Sequence, residues 1–343
     1  MAARIALVTG ANGFVGCYVV RALLARGTPV RAMVREGADL RALDGLSCEF
    51  AWGDLRDAAA VEQATRGCDE VYHVAADYRL WVPDPAPMYA SNVDGTRNVL
   101  AAAHRAKVRR IVHTSTVGAI GIPHGKSGRE DTPVSLGDMV GPYKRSKFLA
   151  EQEALKAARE GVPVVIVNPS TPVGAHDYKP TPTGRIIVDF LNRRMPAFMD
   201  TGLNLVDVED AARGHLLAAE RGMVGEKYIL GGENLTLEQT LGRLAKLSGL
   251  SAPRIRVPYA VAWTFALGAE AVARTITRRP PRASLTEVRM ARKVMFFDSS
   301  KARTALGYEP RPIDDALGRA IEFFRAIGAV RETAHRGRDE RPA

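Results

Sequence analysis

Three glycines spaced three apart, Gly10, Gly13 and Gly16, stand between a short apolar run, residues 4–9, and a helical pattern over 13–26. No other feature narrows the fold as far. In Thr9-Gly10-Ala11-Asn12-Gly13-Phe14-Val15-Gly16 the first glycine permits a sharp turn. The second lets backbone approach a ligand, and the third lets the new helix pack on the strand. A helix that starts in such a turn presents free N–H groups and the positive end of its dipole, a seat for a pyrophosphate. Glycine triplets alone mark many tight turns, but between the first strand and first helix of a βαβ unit they are specific. Gly10, Asn12, Gly13, Phe14, Val15 and Gly16 are therefore expected to hold a dinucleotide.

The pattern beyond the turn agrees. Residues 4–9, 29–34, 47–51, 70–74, 109–116 and 162–168 read as strands, and 13–26, 88–106 and 138–160 are the clearest helices. Strands rich in Val and Ile, unalternated and separated by helices, imply a parallel sheet covered on both faces. The expected class is α/β, a Rossmann-type doubly wound sheet. After Pro169 the rhythm breaks. Pro172, Pro180, Pro182 and Gly184 mark a loop-rich stretch leading to a helix that ends near Asn192. Residues 204–208 and 226–230 read as strands, with a helix starting near Asp207; 236–248, 257–277 and 314–327 read as helices. The reading is a dinucleotide-binding domain, 1–170, and a smaller, mainly helical substrate-binding portion, 171–330. Segments around 204–220 return to the first domain, and a charged tail, 331–343, is read as mobile. Residues 257–273 are too short to span a bilayer and carry Glu270, so they read as a buried or amphipathic helix.

Net charge is +10 over 343 residues, with 25% charged residues. The basic residues are scattered, without zinc spacing, an RNP-like aromatic run or a basic helix with heptads, which argues against nucleic acid. Cys17, Cys48 and Cys68 make neither a disulfide framework nor a metal pattern, so no metal is expected. Met1-Ala2-Ala3-Arg4 runs straight into a strand, without a secretory leader, and a reducing cytoplasm fits. From Arg274 to Arg303 nine Lys/Arg face only Glu287 and Asp298. That run is either a solvated basic face or a dock for an anionic membrane or substrate phosphates.

The second strand ends in Arg35-Glu36. A free ribose 2′-hydroxyl wants a carboxylate here and a 2′-phosphate wants an arginine. Arg35, with Arg31 and Arg41 adding positive charge, favours NADP(H); Glu36 keeps NAD(H) open. Asp54-Leu55 closes the third strand, where a carboxylate reaches the adenine amino group. Ala75 and Ala76 close the fourth, leaving room for the nicotinamide-side ribose. His73, inside a strand, reads as a packed core histidine.

Tyr143 and Lys147, four apart at the start of a helix, share a face. A tyrosine is a poor base at neutral pH, and a nearby ammonium favours its phenolate. The fifth strand ends Thr114-Ser115-Thr116, with Ser115 facing opposite to the two threonines. A hydroxyl there lies where ligands bind in open α/β sheets.

Taken together, T-G-x-x-G-x-x-G, G-D-L at 53–55, the hydroxyl strand end and Y-x-x-x-K resemble the extended short-chain dehydrogenases/reductases, over about residues 4–325. The segment Val30-Arg31-Ala32-Met33-Val34-Arg35 is similar to the dihydroflavonol 4-reductase branch, where the resemblance implies that Arg35 contacts the NADP phosphate. The stretches 71–81, 92–98, 200–206 and 228–234 resemble still more the hopanoid-associated sugar epimerase group. The resemblance maps the catalytic hydroxyl onto Thr116, where serine is usual, leaving Ser115 as the alternative. It implies that Asn92 helps place Lys147 through water, and that Pro169, Ser170 and Thr171 close on the nicotinamide. Dimerisation through the 88–106 and 138–160 helices is a family habit.

The expected function is carbonyl reduction, or oxidation of the matching secondary alcohol, on a mid-sized, partly apolar substrate. Lipid-linked or sugar-containing substrates both suit it, and a peripheral position on the membrane is compatible. The alternatives are epimerisation of a sugar or sugar nucleotide with retained cofactor, in hopanoid lipid biosynthesis for instance, and a non-catalytic cofactor-binding sensor or scaffold. Tyr78, Trp81, Tyr178, Phe190 and Phe198 are candidate pocket aromatics, and Met195-Pro196 a candidate lid.

Overall fold

Val164-Val165-Ile166-Val167 is wholly buried, as a strand must be when helices cover both its faces. The computed structural model describes residues 4–273, 277 and 284–331. The first half runs β1 (Ala6–Thr9), α1 (Phe14–Ala25), β2 (Val30–Val34), β3 (Glu49–Trp52), α2 (Ala58–Thr65) and β4 (Glu70–His73). It continues through α3 (Ala86–Tyr89), α4 (Gly95–Arg105), β5 (Arg110–Thr114), α5 (Gly141–Arg159) and β6 (Val164–Pro169). Next come β7 (Thr171–Val173), α6 (Pro182–Leu191), β8 (Ala197–Phe198), β9 (Gly202–Asp207), α7 (Val208–Arg221) and β10 (Lys227–Leu230). The chain then forms β11 (Glu233–Thr236), α8 (Leu237–Ser248), β12 (Ile255–Arg256), α9 (Tyr259–Val272), α10 (Leu285–Ala291), α11 (Ser300–Leu306) and α12 (Ile313–Ala326).

Seven strands form one parallel sheet in the order β10-β6-β5-β4-β1-β2-β3. The fold is the Rossmann-type doubly wound sheet that the sequence implies. Residues of α1, α7 and α11 pack with one face of the sheet, and residues of α2, α4 and α5 with the other. The order reverses between β1 and β4, which opens a crevice at their carboxyl ends.

Two expectations need correction. The return to the first domain extends past 204–220 to β10, because Tyr228, Ile229 and Leu230 find burial only at the β6 edge. The second half also holds more strand than its periodicity shows. β11, β9 and β7 form a three-stranded sheet under α6, α8 and α12, and β12 pairs with β8. Strands of two to six residues are too short for a pattern to register. Buried Asp207 and Asp210 tie α7 to the C-terminal helix. Arg311 reaches Asp207 at 2.6 Å and Asp210 at 2.9 Å, and Arg319 reaches Asp207 at 2.6 Å. The expectation for the tail beyond Arg331 and part of the basic run, 274–276 and 278–283, lie outside the described residues.

Three buried histidines make the fold acid-sensitive. Burial holds His73 down at about 3 and His215 at about 4, and pushes His113 well below its ordinary value. Their neutral forms belong to the folded chain, so their contribution is intact above the unfolded value near ~6.5 and is lost as pH falls toward the folded values. Asp177, pushed up to about 6 by burial, acts in the opposite sense over the same window. The histidines, joined by His176, which burial also lowers, outweigh Asp177, so unfolding free energy is expected to fall as pH drops from about 6 to 4. Urea titrations across that range check it; a flat profile contradicts it.

Candidate functional site

At the tip of β1, Gly10 has φ of 65°, and a Cβ there would stand 2.6 Å from the Cα of Ala75 beyond β4. A Cβ on Gly16 would stand 2.1 Å from the Gly10 carbonyl oxygen. Only glycine fits either place, so α1 begins pressed against the crevice. Gly13 caps α1 without a side chain, and the first-turn N–H groups of Phe14, Val15 and Gly16 have no helical acceptor. Ala75 and Ala76 are half-buried across the crevice from this turn. Further along the strand ends, the Ser170 hydroxyl is buried with no hydrogen-bond partner among the described residues. Pro169 is buried at the end of β6, and Thr171 half-buried at the start of β7. The bare N–H groups and the orphan hydroxyl fit a dinucleotide.

The charges at the adenosine end differ from expectation. Arg35 and Glu36 are both exposed, and among the described residues Arg35 has no ion pair. Its charge adds to that of Arg56 in holding the Asp54 carboxyl below its usual range. Arg31 turns away: it bonds Glu49 at 2.9 Å and the carbonyls of Ala64 and Arg66, because strand alternation points it toward α2. Arg41 forks onto Asp39 and lies over the Tyr178 ring at 4.6 Å. Asp54 takes a fork from Arg56, two bonds of 2.9 Å, so its carboxylate is shared rather than free. Leu55 is buried against Gly95, and the Asn12 amide donates to the Asp39 carbonyl at 3.1 Å.

The catalytic candidates converge where β5 ends and α5 begins. Gly141, at φ of 80°, and Pro142 start the helix, which puts Tyr143 and Lys147 one turn apart. Burial raises the Tyr143 phenol above its ordinary value, and a hydrogen bond from the neighbouring Thr116 side chain works against that rise. Thr116 Oγ1 also accepts the Gly118 N–H at 3.0 Å. Ser115 faces the other way and donates to Glu151 at 2.5 Å. Lys147 is buried, and its ammonium donates to the Thr114 carbonyl at 2.6 Å. Burial draws it down to about 8, with Glu151 opposing. The expected help from Lys147 to the phenolate is absent from the groups that move Tyr143.

Asn92 is fully engaged beside the start of α5. It sits in a π-turn, 90–94, between α3 and α4, a distortion frequent at functional sites. Its amide donates to the Asp77 carbonyl and to Ser146 Oγ, both at 2.9 Å, and accepts the Asp77 N–H at 2.7 Å. Ser146 donates to the Tyr143 carbonyl at 2.9 Å. Asn92 thus braces the first turn of α5 and the loop after β4, with no direct bond to Lys147. His73 is the core residue expected. Thr96 donates to the Asn92 carbonyl, so His73 Nε2–H donates to Thr96 and Nδ1 accepts from Thr9.

A cavity of about 110 Å³ opens beside these groups, lined by Gly118, Ile122, Met139, Lys144, Arg289 and Lys293 among others. A Cβ on Gly118 would stand 3.3 Å from Thr116 Oγ1 and 3.4 Å from Lys144 Cε, which puts the lysine stem against the catalytic turn. Burial and the charge of Lys293 together draw Lys144 down to about 8. No motif marked this pair; only its place, one residue after Tyr143, was available as a signal. Of the aromatics proposed for a pocket, Phe190 and Phe198 are core, as is most of Met195. Tyr78 is exposed and Trp81 half-buried.

Comparison with known proteins agrees with this geometry. Residues 6–231 match the NAD dependent epimerase/dehydratase family. The chain is 45% identical to a dihydroflavonol 4-reductase-like protein of Synechocystis sp., over 94% of this chain and 95% of that one. It is 38% identical to sterol demethylase protein B of Methylococcus capsulatus, over 94% and 99%. The crystal structure of gox2253 superimposes with a TM-score of 0.86 at 46% identity, covering 95% of this chain and 99% of that one. The chain belongs to the NAD dependent epimerase/dehydratase family of extended short-chain dehydrogenases/reductases, on its dihydroflavonol 4-reductase-like branch.

Proposed function

We propose that the protein is an NADP(H)-dependent oxidoreductase that reduces a carbonyl, or oxidises the matching secondary alcohol, on a mid-sized, partly apolar substrate. The observation that carries this reading is the placement of Tyr143 and Lys147 one turn apart on α5, with the Thr116 side chain beside the phenol where β5 ends. A phenol, which ordinarily titrates at ~10, keeps its proton at neutral pH and can deliver it to a carbonyl oxygen. The Thr116 hydroxyl holds that oxygen in place. Lys147 anchors the first turn of α5 to the Thr114 carbonyl, and its ammonium is the group that would meet the nicotinamide-side ribose. Bound NADP(H), held by residues 10–16, Arg35, Ala75, Ala76 and the 169–171 loop, supplies or takes the hydride. Lys144 and Lys293 suit an anionic group on the substrate. The names of the relatives, a dihydroflavonol reductase and a sterol demethylase protein, suit an oxygenated apolar ring system.

Glu36 favours a second reading. It is as exposed as Arg35 and suits a ribose 2′-hydroxyl. With retained NAD the same Tyr143 and Thr116 serve the epimerisation of a sugar or sugar nucleotide, as in hopanoid lipid synthesis.

Turnover against a panel of carbonyl substrates is expected to consume NADPH mole for mole. A protein that purifies with tight NAD and inverts a sugar centre without net redox replaces the first reading with the second.

Tyr143→Phe removes the proton donor and is expected to lower kcat by ~10²–10⁴ while leaving NADPH affinity nearly unchanged. Steady-state kinetics and fluorescence titration measure the two; retention of half the wild-type rate excludes the role.

Arg35→Ala removes a charged contact worth ~1.5–3 kcal/mol and is expected to weaken NADP(H) roughly 10- to 100-fold, with NAD(H) hardly affected. Titration of both cofactors into both proteins decides. Equal losses, or a wild type that prefers NAD, exclude the NADP assignment.

A further inference from the structure

α9 presents to solvent a face that a water-facing helix would not carry. Val261, Phe265, Gly268 and Val272 form one stripe, and Ala260, Thr264 and Leu267 the stripe beside it; all seven are exposed. Phe265 is 59% exposed, Val261 56%, and Leu267 and Val272 46% each. Surface helices put charged residues at such positions, and here there are none. The helix is therefore neither buried nor amphipathic in the ordinary sense, against the reading of residues 257–273. Its carboxylate, Glu270, is turned inward and accepts the Leu285 N–H at 2.9 Å, at the start of α10. α10 packs along α9 and holds it by its inner face. The 14-residue helix, roughly 21 Å long, is too short to cross a bilayer, and no described helix is long and apolar enough to do so.

Cationic residues accompany this helix. The Arg292 guanidinium lies 5.5 Å from the ring of Tyr259, the first residue of α9, and Arg254 is exposed just before β12, while Arg289 on α10 and Lys293 just after it also line the cavity beside Lys144. Glu287, the acid on α10, is occupied by the Ser284 cap, and Arg256 is matched by Glu238 at 2.6 Å. The intervening sequence, 274–283, contains four arginines and no acid. An apolar strip with a cationic rim complements the interface of an anionic bilayer, where apolar side chains enter the acyl boundary and guanidinium groups meet lipid phosphates. A second copy of this chain fits less well, since two-fold pairing would bring cationic rims together.

We propose that α9 docks the protein on an anionic membrane surface, lying in the interface plane with Val261, Phe265, Leu267 and Val272 inserted. The same α10 that braces α9 lines the cavity beside Lys144 through Arg289, Met290 and Lys293, so one element joins the docking face to the site.

Co-sedimentation of the full chain with phosphatidylcholine vesicles, with and without about one-third phosphatidylglycerol, tests this. Wild type is expected to bind the anionic vesicles, to bind neutral ones far less, and to lose binding as salt rises. Phe265→Glu with Leu267→Glu, both at exposed positions, is expected to lower the partition by ~10-fold or more with circular dichroism and NADPH affinity unchanged. Failure of wild type to bind anionic vesicles overturns the proposal, as does a double variant that binds equally well. A wild-type dimer that ignores vesicles and that the double variant dissociates overturns it too, in favour of an interface between copies.

Discussion

Glu151, almost fully buried, gathers the elements on which the candidate catalytic centre stands. It accepts Ser115 from the end of β5 and Asn168 from β6, and its other oxygen faces the Lys227 ammonium of β10 at 3.3 Å. Asn168 also donates to the Thr116 carbonyl at 3.0 Å, so the carboxylate governs the backbone that aims the Thr116 hydroxyl. Lying four residues beyond Lys147 on α5, it opposes the burial that would strip that lysine of its proton. Removing one member of a buried charged pair typically costs about 3–5 kcal/mol. Three neighbouring strands and α5 are therefore held in one register by one carboxylate.

A second set of buried bonds couples the phosphate turn to the same helix. The Ala75 N–H donates to Thr9 at 3.3 Å, Thr9 to His73, His73 to Thr96, and Thr96 to the Asn92 carbonyl. The Asn92 amide then reaches Ser146, which holds the Tyr143 carbonyl. Each hydroxyl in this chain both donates and accepts, which fixes the neutral tautomer of His73. The phosphate-binding turn expected from the sequence and the start of α5 with Tyr143 are thus built as one unit across β1, β4, α4 and α5.

Partners distinguish some of the cations behind the net charge of +10. Arg31, Arg41, Arg56, Arg79, Arg311 and Arg319 are matched by carboxylates and serve the fold. Arg35 at the crevice, Lys144 in the cavity and Arg289, Arg292 and Lys293 around α10 have no ion pair among the described residues.

The turn at 10–16, the buried parallel strands and the Tyr143/Lys147 helix were legible in the sequence because each is encoded within a few residues. Glycine spacing, a run of Val and Ile, and a four-residue step carry their geometry with them. What tertiary structure alone decided was which side chain meets which across long separations. Thr116 rather than Ser115 faces Tyr143 because Glu151, thirty-six residues beyond Ser115, claims the serine. Arg31 leaves the crevice because α2 and β3 supply its acceptors, and Asn92 braces the backbone of Asp77 and Ser146. The bare face of α9 was equally hidden, since its composition fits burial and only the packing of α10 shows which side is covered. Local conformation follows from short-range sterics and periodicity; partner choice follows from how distant elements pack, and for that the sequence holds no short-range signal.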